Sequence, residues 1–220
     1  MSLISRFRFN RSRHSPDNVR PIGGEGPRGF VGGLWYELGE LQFKFLVQRG
    51  LRPEHTLLDI ACGSMRAGVR FVPYLDAGNY MGIDIDGSLI AHGRDVELGP
   101  VLCAIKRPEF VVSASFEFER FSRQPDFAIA QSLFTHLTVP DIELCLRNLR
   151  SVAKPATAFY ATFFEVGSAV GNPGTSHPHA AFRFTRGQMA ELGEQAGWKM
   201  EYIGDWHHPR DQKMLNFTPA

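Results

Sequence analysis

Apolar residues recur along this chain with two periods, helical and strand-like, and the two alternate. In "LWYELGELQFKFLVQRGLRP", Leu34, Leu38, Leu41, Phe45 and Leu46 share one face at helical spacing, and Gly50 and Pro53 close the segment. "TLLDIA" then reads as a short buried strand. "RAGVRFVPYL" is a short helix running into the turn cluster "DAGN", "YMGIDI" a second strand, and "GSLIAHGRDVEL" a helix stopped by Gly99-Pro100. "PEFVVSA" and "PDFAIAQS" are a third and fourth strand, each opened by proline. "VPDIELCLRNLRSVA" is a helix with Asp141 and Glu143 in its first turn and Arg147 and Arg150 towards its end, the charge order a helix dipole favours. "ATAFYATFF" is a fifth strand. A Gly/Pro/His-rich loop leads to the helix "TRGQMAELGEQAG", with Thr185 as its cap, and "WKMEYIGDW" and "QKMLNF" complete the set as two strands.

Strands alternating with helices predict an α/β, Rossmann-like doubly wound, mostly parallel seven-stranded sheet with helices on both faces. In such a sheet ligands bind beyond the carboxyl ends of the strands, near the point where strand order reverses. The first strand ends in "DIACGSMRAG", which places that stretch at the crevice.

Composition narrows the picture. The chain has 220 residues, 43% of them hydrophobic, enough for one sizeable core, and a net charge of +1 that supplies no global field for nucleic acid or an anionic membrane. Three cysteines without paired spacing argue against a disulfide framework and for a reducing compartment, so a cytoplasmic location is expected. No apolar run has the length of a membrane span, and none near Met1 resembles a secretory signal. Residues 1–29, rich in Arg, Ser, Gly and Pro, read as a flexible basic arm ahead of a domain spanning 30–220.

The turn after the first strand decides the ligand. A dinucleotide site wants G-x-G-x-x-G cradling a pyrophosphate, but here only Gly63 is in place, and an acid, Asp59, lies just ahead of it. A carboxylate there repels a pyrophosphate and suits a cationic amine. About twenty residues on, "GIDID" ends the second strand with an acid placed for a ribose. One acid for an amine and one for a ribose diol, without a phosphate cradle, describe S-adenosyl-L-methionine.

At these residues the chain resembles the class I S-adenosylmethionine-dependent methyltransferases. Asp59, Gly63 and Asp84 match the family pattern, Ala61 stands where its first loop glycine usually is, and Met65 where a third is often found. "PDFAIAQSLFTHL" and "FTRGQMAELGEQAGWKMEYIG" look like the family's fourth strand and its closing helix and strand. The resemblance implies a cofactor-binding set of Asp59, Ala61, Cys62, Gly63, Ser64, Arg66, Asp84, Ile85, Ser113, Ser115, Gln131 and Ser132. Asp59 would orient the amino group, Gly63 would let the backbone approach the methionine part, and Asp84 would take the ribose hydroxyls, with Asp86 as its rival. "SAS" at 113–115 stands where the family often has an acid for the adenine amino group, so Ser113 or Ser115 would read adenine. Gln131 and Ser132 would face the reaction centre. Arg66 has three readings: it binds the cofactor's carboxylate, binds a substrate acid, or is a solvated helix-start arginine.

His136 in "SLFTHL" is the first candidate general base, with helix capping or packing as its alternative, and His207 in "DWHHPRDQ" is the second. His177, His179, His207 and His208 have weak metal spacing, and no metal is expected. The chain lacks an Asn/Asp-Pro-Pro-aromatic motif after the fourth strand and a Pro-Cys pair, marks of methylases acting on bases or amides. A small-molecule hydroxyl or amine, such as a saccharide or natural product, is therefore the expected acceptor, with no nucleic acid and no membrane as partner. A methyltransferase of protein, peptide or glycan, using the basic arm, and a non-catalytic cofactor-binding module are the alternatives.

Overall fold

The computed structural model describes residues 26–220; the basic arm read at 1–29 lies outside the described residues up to residue 25. Its last residues, 26–29, belong to a short helix, α1 (Gly26–Phe30). Helix α2 (Trp35–Gln48) follows, then strand β1 (Leu57–Ile60), α3 (Gly68–Tyr74), β2 (Tyr80–Asp84) and α4 (Gly87–His92). After α5 (Pro100–Lys106) come β3 (Glu109–Val112), β4 (Phe127–Ala130), α6 (Val139–Val152) and β5 (Ala158–Glu165). A two-residue strand β6 (Arg183–Phe184), α7 (Arg186–Gln195), β7 (Trp198–Gly204) and β8 (Lys213–Pro219) complete the chain.

The strands lie in the order β3-β2-β1-β4-β5-β8-β7, with β6 beside β5. β1 pairs in parallel with both β2 and β4, whereas β8 runs antiparallel between β5 and β7. Strand order reverses at β1, so the crevice between the carboxyl ends of β1 and β4 is the expected ligand site.

Period-two alternation builds a core on each face of the sheet. Leu58, Ile60, Met81, Ile83, Ala128, Ala130, Phe159 and Phe163 point to one face, where α6 and α7 add Ile142, Leu146, Leu149 and Met189. Leu57, Tyr80, Ile129, Tyr160 and Met214 point to the other, covered by Phe45 and Leu46 of α2 and Phe71 and Val72 of α3. Burial on both faces explains why these strands read as continuous apolar runs.

Besides α1, three elements differ from the sequence reading. The helix read over 87–98 is α4 followed by a π-helical stretch, Gly93–Leu98. Gly93 permits it: a Cβ there would lie 2.4 Å from Met65 Cγ and 2.9 Å from the Ser64 carbonyl carbon. Gly99-Pro100 ends that helix and also starts α5, because proline's fixed φ and missing N–H suit a first helical position. β6 is too short to leave an alternation signal. Thr185 does cap α7, in a capping box with Gln188.

Candidate cofactor and methyl-transfer site

The loop after β1 keeps the shape that alternate glycines would give it without having them. Ala61, Gly63 and Met65 have φ of 61°, 54° and 70°, all left-handed. For a residue with a Cβ that conformation costs about 1–2 kcal/mol. Met65 offsets the cost by burying its side chain completely, its sulfur 3.5 Å from the Tyr80 hydroxyl. At Gly63 a Cβ would come within 2.7 Å of Val31 Cγ1.

The loop is pinned through its backbone. The Cys62 N–H donates to the Ile83 carbonyl at 3.1 Å, and the Gly63 N–H donates to Asp84 Oδ2 at 2.8 Å. Asp84 Oδ1 accepts the Asp86 N–H at 2.9 Å, so the carboxylate bridges the tips of β1 and β2. Burial pushes the Asp84 carboxyl up, and the N–H donors of Asp86 and Gly63 oppose that. Asp86, its rival, is occupied as the cap of α4: its Oδ1 accepts from the Ser88 and Leu89 N–H groups. An ionised carboxylate offers about four acceptor sites, and two amides leave capacity for a diol.

Asp59 is buried, and burial raises its carboxyl to about 6, against the Tyr80 hydrogen bond and the Arg66 charge. Its Oδ2 accepts the Tyr80 hydroxyl at 2.7 Å, a partner the sequence pattern did not disclose. Ile85, just past the tip of β2, and Val112, at the tip of β3 opposite Asp84, are apolar and 42% and 49% exposed. Next to them Ser113 Oγ accepts from the Ser115 and Glu117 N–H groups, which makes Ser113 a turn former, while Ser115 is exposed.

Arg66 is no solvated arginine. It is 9% exposed; Nη1 donates to the carbonyls of Val31 at 2.6 Å and Gly33 at 3.2 Å, and Nη2 donates to Gln131 Oε1. Its buried Nε has no partner. Burial, and secondarily Arg210, lower its pKa to about 10. Ser64 Oγ donates to the Pro27 carbonyl at 3.2 Å, so residues 27–33 form a strap across the loop. The domain start drawn at residue 30 thus falls inside a segment that is bound to the site.

Gln131 and Ser132, beyond β4, head a buried polar network. Gln131 Nε2 lies 3.1 Å from His208 Nε2 and 2.5 Å from Ser132 Oγ. Ser132 Oγ and Thr162 Oγ1 both donate to Gln212 Oε1, at 3.0 and 2.7 Å. The sequence reading missed Thr162 and Gln212, which no spacing rule connects to β4.

The two candidate bases fare differently. His136 is partly buried and donates through Nδ1 to the Ala180 carbonyl at 2.8 Å, which leaves Nε2 as the basic nitrogen of the neutral ring. Burial lowers its pKa, against the Ala180 carbonyl. His207 is exposed, with φ of 67° and only its backbone N–H engaged, by Asp205. Its neighbour His208 is the residue brought to the site: 5% exposed, stacked on Trp206, and held down to about 4 by burial and by Arg66 and Arg210. The left-handed turn at His207 sends the two neighbouring side chains to different environments, and the sequence alone does not say which histidine turns inward. Among the described residues no three His, Cys, Asp or Glu side chains converge as a metal site, and no helix is long and apolar enough to cross a membrane.

No protein-family model matches the chain. Solved structures do. Magnesium protoporphyrin IX methyltransferase from Synechocystis PCC 6803, with bound SAM, is 16% identical with a TM-score of 0.63, over 91% of this chain and 89% of that one. An S-adenosylmethionine-dependent methyltransferase from Clostridium acetobutylicum is 8% identical with a TM-score of 0.62, over 84% of this chain and 92% of its own. CalO1, a methyltransferase in calicheamicin biosynthesis in its SAH-bound form, is 14% identical with a TM-score of 0.61, over 87% of this chain and 57% of its own. The fold is that of the Rossmann-like S-adenosylmethionine-dependent methyltransferases.

Proposed function

We propose that this protein is an S-adenosyl-L-methionine-dependent methyltransferase that acts on a small-molecule hydroxyl or amine. The observation that carries the reading is the Asp84 carboxylate, held at the tip of β2 by the Gly63 and Asp86 amides beside a left-handed loop at the switch point. Its spare acceptor sites fit a ribose diol, Ile85 and Val112 fit the faces of an adenine, and Asp59 beside the loop fits an amine. Methyltransferases of porphyrin and natural-product chemistry share the fold, which supports a small acceptor; a cytoplasmic location belongs to the same reading.

The bound cofactor supplies a methyl group already activated on a sulfonium. The chain's part is alignment and proton management, and alignment alone is worth on the order of 7–11 kcal/mol. Ser132 is locked by Thr162 and Gln212, and Gln131 by Arg66, Ser132 and His208, which suits them to position an acceptor. His136 Nε2 is the group that takes the acceptor's proton, since Nδ1 is committed to Ala180.

Calorimetry with S-adenosylhomocysteine tests the cofactor: wild type binds, and Asp84→Ala weakens binding by about tenfold or more, as loss of a charge-assisted hydrogen bond implies. No binding by wild type ends the proposal. Transfer from labelled cofactor into a metabolite extract tests catalysis. His136→Gln should lower turnover by about 10²-fold or more with unchanged S-adenosylhomocysteine affinity, and full activity in that variant removes His136 from the mechanism.

A further inference from the structure

Two arginines from distant parts of the chain grip three consecutive peptide carbonyls. Arg66 donates to Val31 O at 2.6 Å and Gly33 O at 3.2 Å, and Arg210, in the loop between β7 and β8, donates to Gly32 O at 2.5 Å. Among the described residues neither guanidinium has a carboxylate partner, and the buried Nε of Arg66 has no partner of any kind. A buried guanidinium answered by two peptide carbonyls, the neutral Gln131 amide and the charge of Asp59 without a direct contact is incompletely compensated, and a carboxylate, sulfate or phosphate in contact with it would compensate it better.

We propose that Arg66 and Arg210 form a subsite for an anionic group of the methyl acceptor, and that the Val31–Gly33 turn fills it until the acceptor displaces it. The proposal rests on the methyltransferase reading and names the charge of its substrate. The turn is built to be displaced. Gly32, Gly33 and Leu34 are left-handed in succession, with φ of 91°, 62° and 48°, and Leu34 is exposed, so burial does not offset its strain. The backbone N–H groups of the turn's three residues return to the five-residue α1, through the Pro27, Gly29 and Arg28 carbonyls.

The subsite lies on the acceptor's side of the crevice. Asp84, Ile85 and Val112 put the nucleoside over β2 and β3, whereas Arg66 reaches the other way, to Gln131 beyond β4 and towards the loop that carries Arg210. Displacing the turn also lifts Val31 from Gly63, so that the same movement opens the reaction centre.

The test titrates protein saturated with S-adenosylhomocysteine with inorganic phosphate, against chloride at equal ionic strength, reading amide exchange at residues 31–34. Saturable phosphate binding with faster exchange at those amides is expected, weakened at least tenfold in Arg210→Gln, whose exposed side chain leaves the fold intact. The absence of a saturable response, or an equal response to chloride, overturns the proposal. Affinity of Arg210→Gln for S-adenosylhomocysteine should stay within twofold of wild type; a tenfold loss assigns the pair to the cofactor's own carboxylate and also overturns it. If wild type fails to bind S-adenosylhomocysteine, the methyltransferase reading is what fails, and phosphate titration of the same protein still reads the arginine pair.

Discussion

The loop after β1 and the loop between β7 and β8 meet through Arg66, Gln131 and His208, yet different forces hold them. The first is held by its backbone: the amides of Cys62 and Gly63 are tied to the tip of β2, and its side chains follow. The second is held by side chains. Trp206 donates from Nε1 to the Gln212 carbonyl at 2.9 Å, packs edge-on to Phe45 and stacks on His208, while Gln212 reaches Ser132 and Thr162. A backbone-held loop can be recognised from glycine and acid spacing, because those residues act through the main chain. A side-chain-held loop leaves no such spacing, since its partners come from β4, β5 and α2.

The comparison breaks most readily at Trp206. Truncation to alanine empties a buried site shared by both partners, and chemical denaturation should show a loss of about 3–5 kcal/mol. A loss under about 1 kcal/mol would mean that the second loop is not held by this side chain.

A middle-sized effect is the pH dependence of stability, where one group from each loop's surroundings pulls in the opposite direction. His208 is held down to about 4 in the fold, whereas an unfolded histidine titrates near 6.5, at about the usual value. The unfolded chain therefore binds the extra proton between those values, and stability falls as pH drops from about 6.5 to about 4. Asp59 is raised to about 6, against about 3.9 unfolded, so its contribution is full below pH of about 3.9 and is lost as pH rises through about 6. Urea titrations across this window should show His208→Gln flattening or inverting the rise of stability with pH, and Asp59→Asn steepening it. Parallel curves for the variants and wild type would refute both assignments.

The smallest effect sharpens the contrast between neighbours. His207→Ala should change stability by no more than about 0.5 kcal/mol and leave turnover unchanged, as befits an exposed side chain. A marked loss of turnover there would return His207 to the catalytic role its sequence position first suggested.

Much of the fold was legible because burial on both faces of a parallel sheet writes short apolar runs into the chain, and helices between them keep a 3.6-residue period. The π-helical stretch at 93–98 was not legible, since its apolar spacing does not set it apart from an α-helix and the close approach of Met65 and Ser64 to Gly93 comes from a distant part of the chain. Nor was α5, which has no fully buried side chain and packs only Leu102 and Cys103 on the core, too few for an amphipathic signal.

The sequence by itself determined the doubly wound order of elements, the two acids at successive strand tips and the loop that joins them. These are properties of local period, of turn chemistry and of charge at known offsets along the chain. Tertiary structure alone decided that Asp86 caps α4 while Asp84 ties the Gly63 and Asp86 amides together, that His208 and not His207 turns inward, and that residues 27–33 lie across the loop. Each of these depends on which surfaces meet after folding. A hydrogen bond between residues 35 or 77 positions apart, such as Arg66 to Val31 or Gln131 to His208, has no counterpart in the spacing of neighbours.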